Sequence, residues 1–182
     1  MVKLYFFRKV KFDNIRADFE RYHNVTRSGC RYFVWQDLPS FLAILVYRYG
    51  HWVTQKNSRA IRLFLYIFYF FPCVTVRLLT GIQIPKFCKI GPGLRIHHFG
   101  TLILNGGVII GSNCTLRTGV VIGNLHGGDD IPVLGDNVEI GVGAKVLGRI
   151  RIVNNVKIGA NAVVIHDVPD GSTAVGVPAR NL

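Results

Sequence analysis

None of the four cysteines is spaced as CxxC from another, which argues against a zinc site of the common kind. Acidic side chains are also few, with 10 Asp and Glu against 22 Lys and Arg, a formal net charge of +12. Most of the basic excess falls in the first eighty residues, and no nucleic-acid motif accompanies it, so the charge alone does not indicate a nucleic-acid partner. The opening MVKLYFFRKVKF carries charge but neither a long apolar region nor a small-residue cleavage site, so no signal peptide is expected and a cytoplasmic, reducing location is. The run LFLYIFYFFPCVTV is interrupted by a proline and falls short of the roughly twenty residues that a membrane span needs. It fits a buried helix pair, in an N-terminal helical segment or at a subunit interface. It also fits a peripheral attachment at the inner membrane face, with aromatics in the headgroup boundary and arginines on anionic lipid.

What the sequence has in quantity is a period of six. Leu134, Ile140, Val146, Ile152, Ile158 and Val164 recur at that spacing, each followed four places on by Val138, Ala144, Ile150, Val156, Ala162 or Val168. A six-residue unit suits neither a 3.6-period helix nor a two-faced strand, so each hexad is read as one side of a triangular coil. The fold expected is mainly β: a left-handed parallel β-helix over residues 82–182, preceded by a helical segment over residues 1–81. Inward aliphatics then stack in ladders about 4.8 Å apart. Cys88 and Cys114 fall on small inward positions, where a packed thiol is expected. Gly91, Gly111, Gly141 and Gly159 fall at corners, where they are expected to supply conformations that a Cβ disfavours. The frame runs through Ile84, Ile90, Ile96 and Leu102, slips by two, and resumes at Ile110, Leu116 and Ile122. GNLHGGDDIPV, residues 123–133, breaks it and reads as a loop extruded from one corner.

The order FLAILVYRYGHWV, TGIQIPKFCKIGPG, IHHFGT, a glycine-rich loop, IGVGAKVLG, IGANAVV and AVGVPAR resembles the serine acetyltransferase superfamily of hexapeptide acyltransferases over residues 41–180. Within it, the resemblance is closest to the branch found in capsule, exopolysaccharide and O-antigen clusters. The resemblance implies transfer of an acetyl group from acetyl-CoA to a hydroxyl. Such transfer needs a base for the hydroxyl proton and donors for the oxyanion, and no metal. The family's base stands in an L-D-H-A-T-G stretch that matches residues 96–101, which makes His98 the expected catalytic base and puts His97 where the family has an aspartate. Val142, Gly143, Lys157 and Ala160 match positions along the CoA groove, and Asn124, following the coil at Ile122, is a candidate polar contact for the cofactor.

Departures from the family pattern bear on the acceptor. Gln83 replaces the aspartate that partners the base, and Asp129-Asp130-Ile131-Pro132 replaces a D-R-H-P loop whose cation helps to hold serine. No equivalent of an upstream R-D-P aspartate is found around Val25. Gln83, His97, Asn105, His126, Asp129 and Asp130 are therefore read as the acceptor pocket. The acceptor expected is a sugar hydroxyl of a cell-surface polysaccharide precursor, with serine as the alternative and a catalytically silent scaffold as a second. A γ-class carbonic anhydrase is disfavoured by the spacing of His97, His98 and His126. The assembly expected is a homotrimer with sites between subunits, which the N-terminal helices can pair into a hexamer.

Overall fold

The computed structural model describes residues 12–26 and 33–182. Three helices come first: α1 (Phe12–Thr26), α2 (Phe33–Thr54) and α3 (Arg59–Thr80). Ser58 caps α3 by accepting from the Ile61 N–H at 3.4 Å, and Gly81, at φ 70°, ends it by donating to the Arg77 carbonyl.

From Ile82 the chain coils. The first coil holds β1 (Ile82–Gln83), β2 (Lys89–Ile90) and β3 (Arg95–His97); the second holds β4 (Leu102–Leu104), β5 (Ile109–Ile110) and β6 (Thr115–Arg117). The third holds β7 (Val121–Gly123), β8 (Val133–Leu134) and β9 (Glu139–Ile140); the fourth holds β10 (Lys145–Leu147), β11 (Arg151–Ile152) and β12 (Lys157–Ile158). β13 (Val163–Val164), β14 (Thr173–Gly176) and β15 (Ala179–Asn181) close the stack. Equivalent strands pair in parallel to form three faces, β1-β4-β7-β10-β13, β2-β5-β8-β11 and β3-β6-β9-β12-β14, with β15 antiparallel on β14. This is the β-helix that the hexads predict.

The inward ladder is apolar throughout. Ile96, Leu116, Ile122, Val146 and Ile152 are fully buried, as are Cys88, Cys114, Val138, Ala144, Val156 and Ala162 between them. Each fully buried aliphatic contributes about 1.5–3 kcal/mol, and each coil obtains that burial only from its neighbours.

An open coil end would leave unpaired strand backbone. α1 and α2 cover it with polar side chains. The Tyr22 hydroxyl donates to the Ile96 carbonyl (3.0 Å) and accepts from the Ile96 N–H (2.9 Å), and the Tyr47 hydroxyl does the same for Cys88 and Ile90. Arg48 donates to the Ile90 and Gly91 carbonyls while holding Asp18 through two bonds of 2.9 and 3.1 Å. Asp18 in turn accepts from the Leu94 N–H.

Three sequence expectations change. The apolar run around Pro72 is neither a buried helix pair nor too short for a span: it lies within one helix, α3, of 22 residues, whose most apolar 18-residue window has mean hydropathy 1.8 and is only 11% buried, long and apolar enough by length and composition alone to cross a membrane. Gly91, Gly111 and Gly141 serve close approach between coils rather than unusual φ; a Cβ on Gly91 would lie 2.7 Å from the Gly111 backbone. Left-handed conformations at the neighbouring corner belong instead to Gly93, Asn113, Asn137 and Asn155. The frame begins at Ile82, which is buried, while Ile84 is only partly so.

Candidate active site

The two-residue slip in the repeat lies at the corner between β3 and β4. Six steps separate His97 from Ile103, whereas four separate their register partners, Arg117 and Val121. The extra length makes a bulge, and His98 stands on it, exposed, at φ 61°. A non-glycine residue there is uncommon and marks a locally strained position.

His97 lies beside it, half-buried, with ring centroids 5.9 Å apart. Burial, reinforced by the cations Arg95 and Arg117 and then by His98 and Arg21, pushes its pKa down to about 4. His97 is therefore neutral at neutral pH and offers a hydrogen bond rather than the negative charge that the family has there.

Below the bulge the corners stack closely. A Cβ on Gly100 would collide with the Thr118 hydroxyl. The Thr118 carbonyl accepts from the Gly143 N–H (2.9 Å), and the Val142 carbonyl accepts from the Asn161 N–H (2.8 Å). His98, Thr118, Val142, Gly143 and Ala160 thus descend one edge of the solenoid. The Lys145 ammonium fixes that edge by donating to the Gly119 (2.6 Å) and Gly143 (2.9 Å) carbonyls. Val142 and Ala160 are exposed along it, which suits a groove contacted mainly by backbone. Lys157 is off this column: it lies on β12, between Glu139 and Thr173, with its side chain exposed.

The remaining expected pocket residues lie across the first face, on the opposite edge. Asn105 follows β4, and its carbonyl accepts from the Cys88 thiol at 3.2 Å. Asn124, His126 and Asp129 lie in the loop that follows β7; Asn124 is half-buried and the other two are exposed. Asp130 does not face an acceptor as a free charge. Its carboxylate closes the loop by accepting from the Leu125 (3.4 Å) and His126 (3.3 Å) N–H groups. Ile131 packs against the core.

Gln83 makes no hydrogen bond to His98. It lines a cavity of about 350 Å³ between α2, α3 and the first coil, with Tyr47, Tyr69 and Ile84. The lining holds neither histidine nor carboxylate. Val25 lies outside the residues whose side chains are described, as does the opening MVKLYFFRKVK.

Sequence reasoning missed Asp37, Arg95, Arg117 and Lys145. Asp37, at the start of α2, is buried with its carboxylate 3.8 Å from the Arg95 guanidinium. It also faces the backbone N–H of His98, though neither oxygen attains hydrogen-bond geometry. Burial raises its pKa, against the pull of Arg95 and His98.

A β-helix of hexads with a histidine on a bulged corner defines a hexapeptide acyltransferase. No protein-family model matches the chain. It is 39% identical over 149 residues to a serine acetyltransferase of Helicobacter pylori, spanning 79% of this chain and 81% of that one. It is 38% identical over 145 residues to the serine acetyltransferase of Synechococcus elongatus, spanning 78% of this chain and 56% of that protein. The chain thus spans little more than half the length of the latter. Among solved structures, Neisseria gonorrhoeae serine acetyltransferase in complex with serine superposes with a TM-score of 0.73 at 32% identity, over 92% of this chain and 67% of that one. A serine acetyltransferase in complex with CoA gives 0.77 at 29% identity, over 94% and 69%. The chain belongs to the serine acetyltransferase family.

The polysaccharide branch and its sugar acceptor are therefore corrected: the relatives and solved neighbours are serine acetyltransferases. The sequence argument against serine treated Asp130 as an acceptor-facing charge. The structure shows it bonded within its own loop.

Proposed function

We propose that the protein is an acetyl-CoA-dependent serine O-acetyltransferase. What carries the reading is His98 on its bulge at the head of the exposed edge formed by Val142, Gly143 and Ala160. The His98 imidazole takes the proton of the serine hydroxyl as that oxygen attacks the thioester carbonyl. The tetrahedral intermediate collapses, and the proton on His98 passes to the departing thiolate. Val142, Gly143 and Ala160 line the pantetheine path. The neighbours solved with serine and with CoA support this pairing of substrates.

The working form we infer is a homotrimer. In one chain the His98 corner and the 123–133 loop lie at opposite edges of the same face, so a neighbouring copy is needed to bring the loop of one subunit against the histidine of the next. Pairing of trimers through the N-terminal helices is the further step. The three described cysteines are free, in keeping with a reducing, cytoplasmic setting.

The test is release of CoA thiol from acetyl-CoA in the presence of L-serine. Turnover that falls about 10²- to 10⁴-fold in His98→Ala is expected for loss of a general base. Absence of serine-dependent release by the wild type would overturn the proposal.

A further inference from the structure

The family's loop cation has no counterpart at Asp130, so a serine acceptor needs another partner for its carboxylate. Three guanidiniums lie near His97. Arg21 is engaged, donating to the Asn113 carbonyl (2.9 Å) and the Thr115 hydroxyl (2.8 Å). Arg95 is buried against Asp37 and over the Tyr22 ring. Arg117 differs from both: it is exposed, and no carboxylate or carbonyl in the chain holds it among the described residues.

Its place is fixed by the ladder. Arg117 pairs in register with His97, one coil spacing away, and the next residue, Thr118, packs directly under Gly100 of the His98 bulge. Ile96 and Leu116 point inward between the same strands, so His97 and Arg117 both project outward on the side of the face that ends at His98. After burial and Arg95, its charge is the next that opposes protonation of the His97 ring. With His97 neutral, nothing at that position neutralises Arg117.

We propose that Arg117 binds the carboxylate of the acceptor, seating the amino acid so that its hydroxyl meets His98. A planar guanidinium presents two parallel donors to the two oxygens of a carboxylate, a geometry that a lysine ammonium does not reproduce. The assignment rests on the serine acetyltransferase reading and adds to it a specificity-determining residue outside the family's loop.

The test compares wild type, Arg117→Gln and Arg117→Lys, using L-serine and L-serinamide, which has the hydroxyl and amine but no carboxylate. Expected for Arg117→Gln is a rise of about tenfold or more in KM for L-serine, with KM for acetyl-CoA and turnover of L-serinamide within twofold of wild type. Arg117→Lys should recover only part of the loss. An unchanged KM for L-serine in Arg117→Gln, with wild type active, would overturn the assignment and leave the activity standing. The same holds for an equal loss on L-serinamide, which would point to a general distortion of the corner. Failure of the wild type to release CoA with L-serine would overturn the underlying reading and the assignment with it.

Discussion

The Arg95 guanidinium and the Asp37 carboxylate lie 3.8 Å apart, both buried, one on the strand that ends at His97 and the other at the start of the helix facing the His98 backbone. The pair ties the helical segment to the bulged corner. Breaking a buried ion pair by removing one partner costs about 3–5 kcal/mol, because the surviving charge stays desolvated. The 3.8 Å separation and imperfect hydrogen bonding of this pair place Asp37→Ala near the lower end. Urea unfolding of Asp37→Ala should therefore show a loss of about 3 kcal/mol, with a smaller loss in the isosteric Asp37→Asn. Equal stability of all three proteins would show that the contact does not hold the helices to the solenoid.

His97 sets a pH dependence whose sign follows from its lowered pKa. In the unfolded chain its imidazole takes up a proton near pH 6.5; in the folded protein it resists protonation until about pH 4. Above pH 6.5 both states are neutral there and the group contributes no slope. Between 6.5 and about 4 the unfolded state binds more protons, so stability falls as pH falls, by at most about 1.4 kcal/mol per pH unit and less where solvent screens the half-exposed ring. His97→Gln should flatten the unfolding free energy across that window. The His97 ring protons in an NMR titration should remain those of a neutral imidazole down to about pH 5. A midpoint near 6.5 would show that the surrounding guanidiniums do not act on it.

Asp130→Asn separates a structural from a repulsive role for the loop aspartate. The amide keeps an oxygen that can accept from the Leu125 and His126 N–H groups while removing the charge. KM for L-serine should change by less than about threefold, because exposed charges at a distance interact weakly in water. A tenfold fall in KM would mean that Asp130 repels the substrate after all.

The Asp130 case shows where sequence reading succeeds and where it stops. The hexads were legible because every sixth side chain must face inward, and a two-residue slip was legible as a break in that period, but it was read after Leu102, whereas the register puts the extra length earlier, between His97 and Ile103. Val142, Gly143 and Ala160 came from the family resemblance rather than from the period, and they lie on the His98 edge. Lys157, three residues before Ala160, instead points from the flat face. Arg95 and Arg117 were not legible, because outward positions on a solenoid carry no periodic signal, and Asp37 was not, because its partner stands on a coil 58 residues further along the chain. Arg95 becomes buried only because helices cross the coil end, an arrangement that no local pattern encodes. Asp130 was misread because its partners lie within its own loop, where alignment to a family motif does not reveal which way a side chain turns.

α3 supplies the last prediction. Leu63, Phe64, Phe68, Phe71, Leu78 and Leu79 are all more than half exposed in the single chain. Contiguous apolar surface of this kind is uncommon on a soluble monomer, and each such side chain gains roughly 1.5–3 kcal/mol when fully covered. Covering by other copies of the chain agrees with the homotrimer proposed above. Sedimentation at micromolar concentration should give a trimer or a multiple of it, and Phe71→Glu with Leu78→Glu should shift the protein to smaller species while the far-ultraviolet spectrum of the β-helix persists. Since the apolar stretch of the helix is bounded by Arg59 and Arg62 on one side and Arg77 on the other, the competing outcome is salt-sensitive pelleting with anionic vesicles. A wild-type monomer in solution that pellets in this way would transfer the role of α3 from subunit contact to lipid and would require each active site to be completed within one chain.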